Sequence, residues 1–132
     1  MASIFTKIVN GEIPSHKIAE DENYYAFLDI NPLQRGHTLV IPKQEVDYLF
    51  DLDDEIYQGL WTFAKKVAKA IEKGVECKRV AVIVLGLEVP HAHIHLVPLN
   101  KEQDAYFSNP KLQLSNEELQ EITQMIRANF EQ

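Results

Sequence analysis

The stretch Pro90–Pro98 reads PHAHIHLVP and holds three of the chain's five histidines, at every second position. In an extended strand alternate side chains share a face. His91, His93 and His95 then look one way, their Cα atoms roughly 6.6 Å apart at about 3.3 Å rise per residue. Ala92, Ile94 and Leu96 look the other way, into a core. Three imidazoles suit a solvated strand face poorly, and if buried they need hydrogen-bond partners. Two chemistries suit the spacing. A metal ion takes imidazoles at i and i+2 of a strand and completes its shell with a ligand from elsewhere. Its charge would have to be balanced by distant carboxylates, because no acidic residue lies inside the cluster. Alternatively, neutral imidazole, with an unperturbed pKa of about 6.5, is a nucleophile near pH 7. It takes a phosphoryl or nucleotidyl group and passes it to water, splitting one hard step into two. One nitrogen must then be free while the proton on the other is held by an acceptor, with the flanking histidines serving substrate oxygens and the leaving group.

Working outward, Val80–Leu85 (VAVIVL) reads as a fully buried strand, broken by Gly86 before the histidine strand. Upstream, a long helix opens at Asp53 and Asp54, whose carboxylates favour the positive end of the helix dipole. Ile56, Leu60, Phe63, Ala64, Val67 and Ile71 form its apolar stripe. Lys65, Lys66, Lys69 and Lys73 lie off that stripe on a solvated face, and Gly74 stops the helix. Short strands are expected at Ser15–Glu20, Tyr24–Asp29 and His37–Pro42, with a tight turn at 20–23 and a loop through Asn31-Pro32 and Arg35-Gly36. Residues 3–9 allow one helical turn, stopped by Asn10-Gly11 and Pro14. Near the C-terminus Ser115 and Glu118 make a capping box for a helix over about 116–130, with Leu119, Ile122, Ile126 and Phe130 on one face. Strand pairs joined by short turns predict an α+β fold with an antiparallel sheet.

The 132 residues fit a single domain spanning 1–132, with 45% hydrophobic and 25% charged residues and enough length for a core without disulfides or a structural metal. The lone Cys77, in VECKRV at a helix-to-strand junction, excludes an internal disulfide framework and suits a reducing compartment. The net charge of −7 argues against nucleic acid as a partner, though one pocket can still be locally positive. The apolar runs are too short to span a membrane, and MASIFTKIVNGEIP lacks a basic region followed by an apolar stretch. A cytoplasmic location is therefore expected.

The histidine stretch HAHIHLV, with AFLDINP, RGHTLVIPK and IFTKIVNGEIP upstream of it, resembles the histidine triad (HIT) superfamily of nucleotide hydrolases and transferases, and within it the bacterial Hint-like branch. The likeness covers roughly residues 3–98 and is least diagnostic in the C-terminal helix. It implies a five-stranded antiparallel sheet with one long and one C-terminal helix, the sheet continuing across a homodimer. It also implies a purine nucleotide site and no cofactor. By this resemblance His93 attacks the α-phosphorus and is transiently nucleotidylated. His91 and His95 position it and contact phosphate or leaving group, and His37 abuts the triad. Asp29 binds the ribose hydroxyls, a task that suits a carboxylate able to accept two hydrogen bonds. Ile30 lines the base pocket with help from Phe5, Ile8 and Leu28, and Glu88 and Val89 join the nucleotide site.

Three departures from the family pattern bear on function. Members with a structural zinc carry Cys-x-x-Cys near the start and a His soon after the IPK; here Ser3, Thr6 and Glu45 stand there, so no zinc is expected. Many members have Gly-Gln shortly before the triad, where the amide contacts phosphate; Gly86-Leu87-Glu88 replaces that donor, a loss of about 2–4 kcal/mol of transition-state stabilisation. Glu88 either serves as a general acid for an amine leaving group or repels phosphate. Lastly, the Asn usual in the preceding strand is Val80 or a neighbour. The first expectation is a hydrolase of phosphoramidate or phosphoanhydride bonds to AMP-like nucleotides. The alternatives are a nucleotide-binding or signalling module without the rate, and a metal-dependent hydrolase using HxHxH.

Overall fold

A computed structural model describes residues 2–131. Helix α1 (Ile4–Val9) is capped by Ser3, whose hydroxyl accepts from the backbone N–H of Thr6. Strands β1 (Lys17–Glu20), β2 (Tyr24–Leu28) and β3 (Thr38–Pro42) follow, then helix α2 (Asp54–Gly74), strands β4 (Arg79–Ile83) and β5 (Ile94–Leu99), and helix α3 (Asn116–Ala128). The strands form one antiparallel sheet in the order β1-β2-β3-β5-β4, so the fold is α+β with one long and one C-terminal helix. Both anticipated caps form. Asp53 accepts from the N–H of Ile56, and Ser115 and Glu118 close a reciprocal capping box.

Period-2 alternation gives the sheet two dissimilar faces. On one face Ala26, Leu28, Val40, Ile94 and Leu96 meet Leu60, Phe63, Val67 and Ile71 of α2 and Leu119, Ile122 and Ile126 of α3 in the main core. On the other face Tyr25, Phe27, Leu39 and Ile41 pack under Phe5 of α1. The histidines belong to this second face, because His95 pairs with Leu39 and with Ile83 across the ladder.

Two expectations change. The histidine strand begins only at Ile94; His91 and His93 lie in the irregular segment leading into it. The segment is fixed by the Ala92 N–H donating to the Val46 carbonyl at 2.7 Å, and Ala92 still points into the main core. The strand expected to be fully buried, Val80–Leu85, runs instead over Arg79–Ile83 and is half-exposed. It is the outermost strand and pairs on one side only, so Val82, Val84 and Leu85 stand in solvent. A run of apolar β-branched residues reads the same in a central strand as in a free edge.

Gly36, with φ of +94°, turns the chain into β3 directly before His37. A Cβ there would lie 3.0 Å from Val75 and 3.3 Å from Pro98, so both the left-handed backbone and the close approach require glycine.

Candidate active site

The order of protons along the histidine face follows from its fixed donors. The backbone N–H of Leu33 donates to Nδ1 of His37 at 3.0 Å, so that nitrogen carries the lone pair and Nε2 carries the hydrogen. Nε2 of His37 then donates to Nδ1 of His95 at 3.0 Å, which leaves the His95 hydrogen on its own Nε2. On the next ring, Nδ1 of His93 lies 2.7 Å from the His91 carbonyl, which can only accept. The lone pair of His93 is therefore on Nε2. The Nε2 atoms of His93 and His95 find no partner among the described residues and are not sealed from solvent. The face thus presents one bare lone pair beside one N–H donor, with the two rings 5.0 Å apart, centroid to centroid.

Burial keeps the relay neutral. His37 is pushed down to about 3, first by burial and then by His95 and Lys111. His95 is pushed down to about 4 by burial and by His93. Asp29 follows β2 and accepts from the Asn31 N–H at 2.8 Å. Its Oδ2 is 3.7 Å from Nε2 of His37, and burial pushes its carboxyl up while Asn31 and Lys111 pull it down. With His37 neutral, the two make no ion pair.

His91 sits differently from its neighbours. It is fully buried, its Nε2 donates to the Pro42 carbonyl at 2.7 Å, and its Nδ1 faces the Ser3 hydroxyl at 2.8 Å. Both ring nitrogens are occupied, so the expectation that His91 contacts phosphate or leaving group is corrected. What it turns towards His93 is its carbonyl oxygen. Leu28 is corrected too. It packs in the main core with Ala26, on the far face of the sheet, because its place in the strand alternation opposes that of Phe27. Phe5 lies edge-on to His93 with centroids 5.1 Å apart, and Ile8 and Val89 pack beside it. Ile30 and Glu88 are exposed, and Leu87, in the expected phosphate donor's place, is 90% exposed.

Two residues absent from the sequence reading border the site. Phe107 lies edge-on to His95 at 4.9 Å and to His37 at 6.2 Å. Lys111 donates to the carbonyls of Phe107 (2.7 Å) and Asn109 (3.3 Å), its ammonium 5.6 Å from the Phe107 ring centre. The Leu112 N–H binds the Pro32 carbonyl, fastening this segment to the turn after Asp29. Their only sequence signal was an aromatic and a lysine in an irregular stretch. A cavity of about 330 Å³ between Arg35, Cys77, Pro98 and Met125 includes none of the site residues.

Asp29, His37 and His95 bring one potential metal ligand atom each within 4.8 Å of one another. A metal on His37 Nε2 would force the hydrogen onto Nδ1, against the donating N–H of Leu33. These residues do not fit a metal. The zinc positions of the resemblance, Ser3, Thr6 and Glu45, do meet beside His91, but Thr6 spends its hydroxyl proton on Glu45 and Ser3 faces the imidazole. Two protonated hydroxyls and one carboxylate do not fit zinc, which prefers thiolate and imidazole.

The HIT domain model matches residues 10–102. The adenosine 5'-monophosphoramidase of Schizosaccharomyces pombe is 37% identical over 134 residues, covering 98% of this chain and 99% of that protein. The crystal structure of a HIT-like protein from Bartonella henselae superposes with a TM-score of 0.84 at 32% identity, covering 97% of this chain and 96% of that one. A zinc-bound histidine triad protein from Mycobacterium smegmatis does so with a TM-score of 0.81 at 31% identity, covering 98% and 93%. With the family model spanning most of its length and such likeness along the remainder, this chain belongs to the HIT family.

Proposed function

We propose that the protein is a nucleotidyl hydrolase that cleaves purine nucleotide phosphoramidates or phosphoanhydrides through a covalent nucleotidyl-His93 intermediate. The observation that carries this reading is the proton order: a held Nδ1–H and a bare Nε2 on His93, beside an Nε2–H donor on His95. The adenosine 5'-monophosphoramidase relative supports the substrate class. The His93 Nε2 lone pair forms a bond to the α-phosphorus. The P–N or P–O bond to the leaving group breaks, and its electron pair departs with that group, which takes a proton from solvent or from Glu88. Neutral His95 supplies a hydrogen bond from its Nε2–H to the charged phosphoryl oxygens. Water then attacks the phosphorus and forms a P–O bond, giving up a proton to solvent. The N–P bond returns its pair to Nε2, releasing the nucleoside monophosphate.

Asp29 would accept from the ribose hydroxyls, with Phe5, Ile8 and Val89 forming the apolar wall and Ile30 at its rim. The working unit is read as one domain in a cytoplasmic homodimer, with β4 continuing the sheet into a second copy. The exposed apolar edge of β4 supports that reading. Turnover of an adenosine phosphoramidate by the wild type and by His93→Ala tests the mechanism. A loss of at least about a thousandfold is expected for removal of a covalent nucleophile, and equal rates would refute it. A second reading, a binding module of low rate, is favoured by the exposed Leu87 where a phosphate donor is expected. Micromolar binding of AMP without turnover of any conjugate would select it.

A further inference from the structure

We propose that Ser3, Thr6 and Glu45 form a hydrogen-bonded clamp that fixes His91 and, through the His91 carbonyl, aims the reactive nitrogen of His93. The inference rests on the reading of His93 as nucleophile, and it extends the machinery to three residues that touch no substrate.

The atoms are assigned by elimination. The Pro42 carbonyl can only accept, so Nε2 of His91 carries the hydrogen. Burial pushes the His91 pKa down, against the Pro42 carbonyl and the Glu45 carboxylate, which raise it, and in the neutral ring Nδ1 is an acceptor. Ser3 has one hydroxyl hydrogen. Its Oγ lies 2.8 Å from His91 Nδ1 and 3.3 Å from Thr6 Oγ1, so the hydrogen goes to the imidazole. The lone pairs of that oxygen accept from the Thr6 N–H at 3.1 Å, which ties the contact to the cap of α1. The Thr6 hydroxyl donates to Glu45 Oε1 at 2.6 Å, and the Ser3 N–H donates to the same oxygen at 2.6 Å. Those two donors hold the Glu45 carboxyl down to about 2, so it stays an acceptor across the working pH range.

The clamp closes from two sides. Segment 42–46 supplies the Pro42 carbonyl, the Glu45 carboxylate and the Val46 carbonyl that binds the Ala92 N–H. Helix α1 supplies Ser3 and Thr6 from one end and Phe5 against the His91 and His93 rings, at 5.9 and 5.1 Å. His91 and Ala92 are thus pinned on both flanks, and the His91 carbonyl, 2.7 Å from His93 Nδ1, inherits that position. A nucleophile must be held to within a fraction of an ångström, which is the work of packed, hydrogen-bonded supports.

Ser3→Ala, Ser3→Thr and Glu45→Gln test the clamp, each read by ¹⁵N NMR of the ring nitrogens and by steady-state kinetics on an adenosine phosphoramidate below the melting temperature. The wild type is expected to show His91 as the single Nε2–H tautomer with a hydrogen-bonded Nδ1. Ser3→Ala should shift the His91 Nδ1 resonance towards the free-acceptor value and lower kcat at least tenfold, with KM changed less than threefold. Ser3→Thr should restore both, and Glu45→Gln should give an intermediate loss. Unchanged His91 and His93 resonances in Ser3→Ala would overturn the clamp, and so would altered resonances with wild-type kcat. A wild type with no turnover would refute the nucleophile reading, while the resonances would still report whether Ser3 and Glu45 hold His91.

Discussion

His37 Nε2 donates to His95 Nδ1 across 3.0 Å, and neither ring is exposed enough for water to replace the contact. The His95 tautomer is therefore set two hydrogen bonds away, at the backbone N–H of Leu33. Replacing His37 with alanine removes the donor and lets His95 carry its hydrogen on either nitrogen. The expected result is a fall in kcat of at least about tenfold, the usual scale for losing an orienting partner, with a mixed His95 tautomer by ¹⁵N NMR. An unchanged tautomer in His37→Ala would show that the relay does not set it.

The same burial makes stability depend on pH. In the unfolded chain both rings titrate near 6.5; in the folded chain His37 titrates at about 3 and His95 at about 4. Between these limits the unfolded state binds more protons, so stability is full above pH 6.5 and is lost as pH falls towards 4 and then 3. Each histidine adds a slope of about 1.4 kcal/mol per pH unit inside its window. Urea unfolding at pH 7.5, 6, 5 and 4.5 should give a slope that flattens in His37→Gln; equal slopes for the two proteins would refute the assignment.

The histidine face was legible in sequence because HxHxH on an alternating strand admits few readings, and the partition of Ala92, Ile94 and Leu96 into the core follows from period 2 alone. The helix boundaries were legible because Asp53 and Ser115 are caps with a local mechanism. What escaped depends on contacts distant in sequence. Phe107 reaches His95 through an irregular segment without periodicity. The occupied nitrogens of His91 depend on Ser3, 88 positions away. Leu28 was misplaced for a simpler reason: five consecutive apolar residues in β2, buried on both faces, hide which of the two faces each one serves.

Strand β4 supplies a test of assembly. Val82 is 49% exposed on an edge whose outer backbone groups have no partner strand among the described residues. If the sheet continues into a second copy, Val82→Lys places like charges opposite each other at the join. The wild type should then sediment as a dimer and the variant as a monomer at micromolar concentration. A monomeric wild type would remove the homodimer from the proposal.

Gly59 lies on α2 where a Cβ would collide with the Tyr24 hydroxyl oxygen, which donates to the Ile56 carbonyl at 3.0 Å. Alanine would gain about 1 kcal/mol of helix propensity. Overpacking a filled site costs about 1–3 kcal/mol, and here the obstacle is a ring stacked on Phe63 at 5.6 Å. Gly59→Ala is therefore expected to be destabilised by denaturant titration, with partial recovery in Gly59→Ala/Tyr24→Phe. A Gly59→Ala protein more stable than the wild type would show that Tyr24 moves aside.

Asp29 is the carboxylate whose ionisation matters most to a ribose-binding role, and its surroundings oppose each other. Burial pushes its carboxyl up, while the Asn31 N–H and the Lys111 ammonium pull it down. Lys111 is fixed by the Phe107 and Asn109 carbonyls, in the segment that the Leu112–Pro32 contact fastens beside the Asp29 turn. Lys111→Met keeps the length of the side chain and removes the charge, so Asp29 should take up its proton at higher pH than in the wild type. A protonated carboxyl accepts less well from ribose hydroxyls. KM for a ribonucleotide conjugate should therefore rise more steeply on acidification in Lys111→Met than in the wild type. In Asp29→Asn, which lacks the titrating group, KM should be raised at all pH values, and adding Lys111→Met should no longer steepen its pH dependence. If Lys111→Met steepens the profile equally in the Asp29→Asn background, the lysine acts on another group, and its link to Asp29 fails.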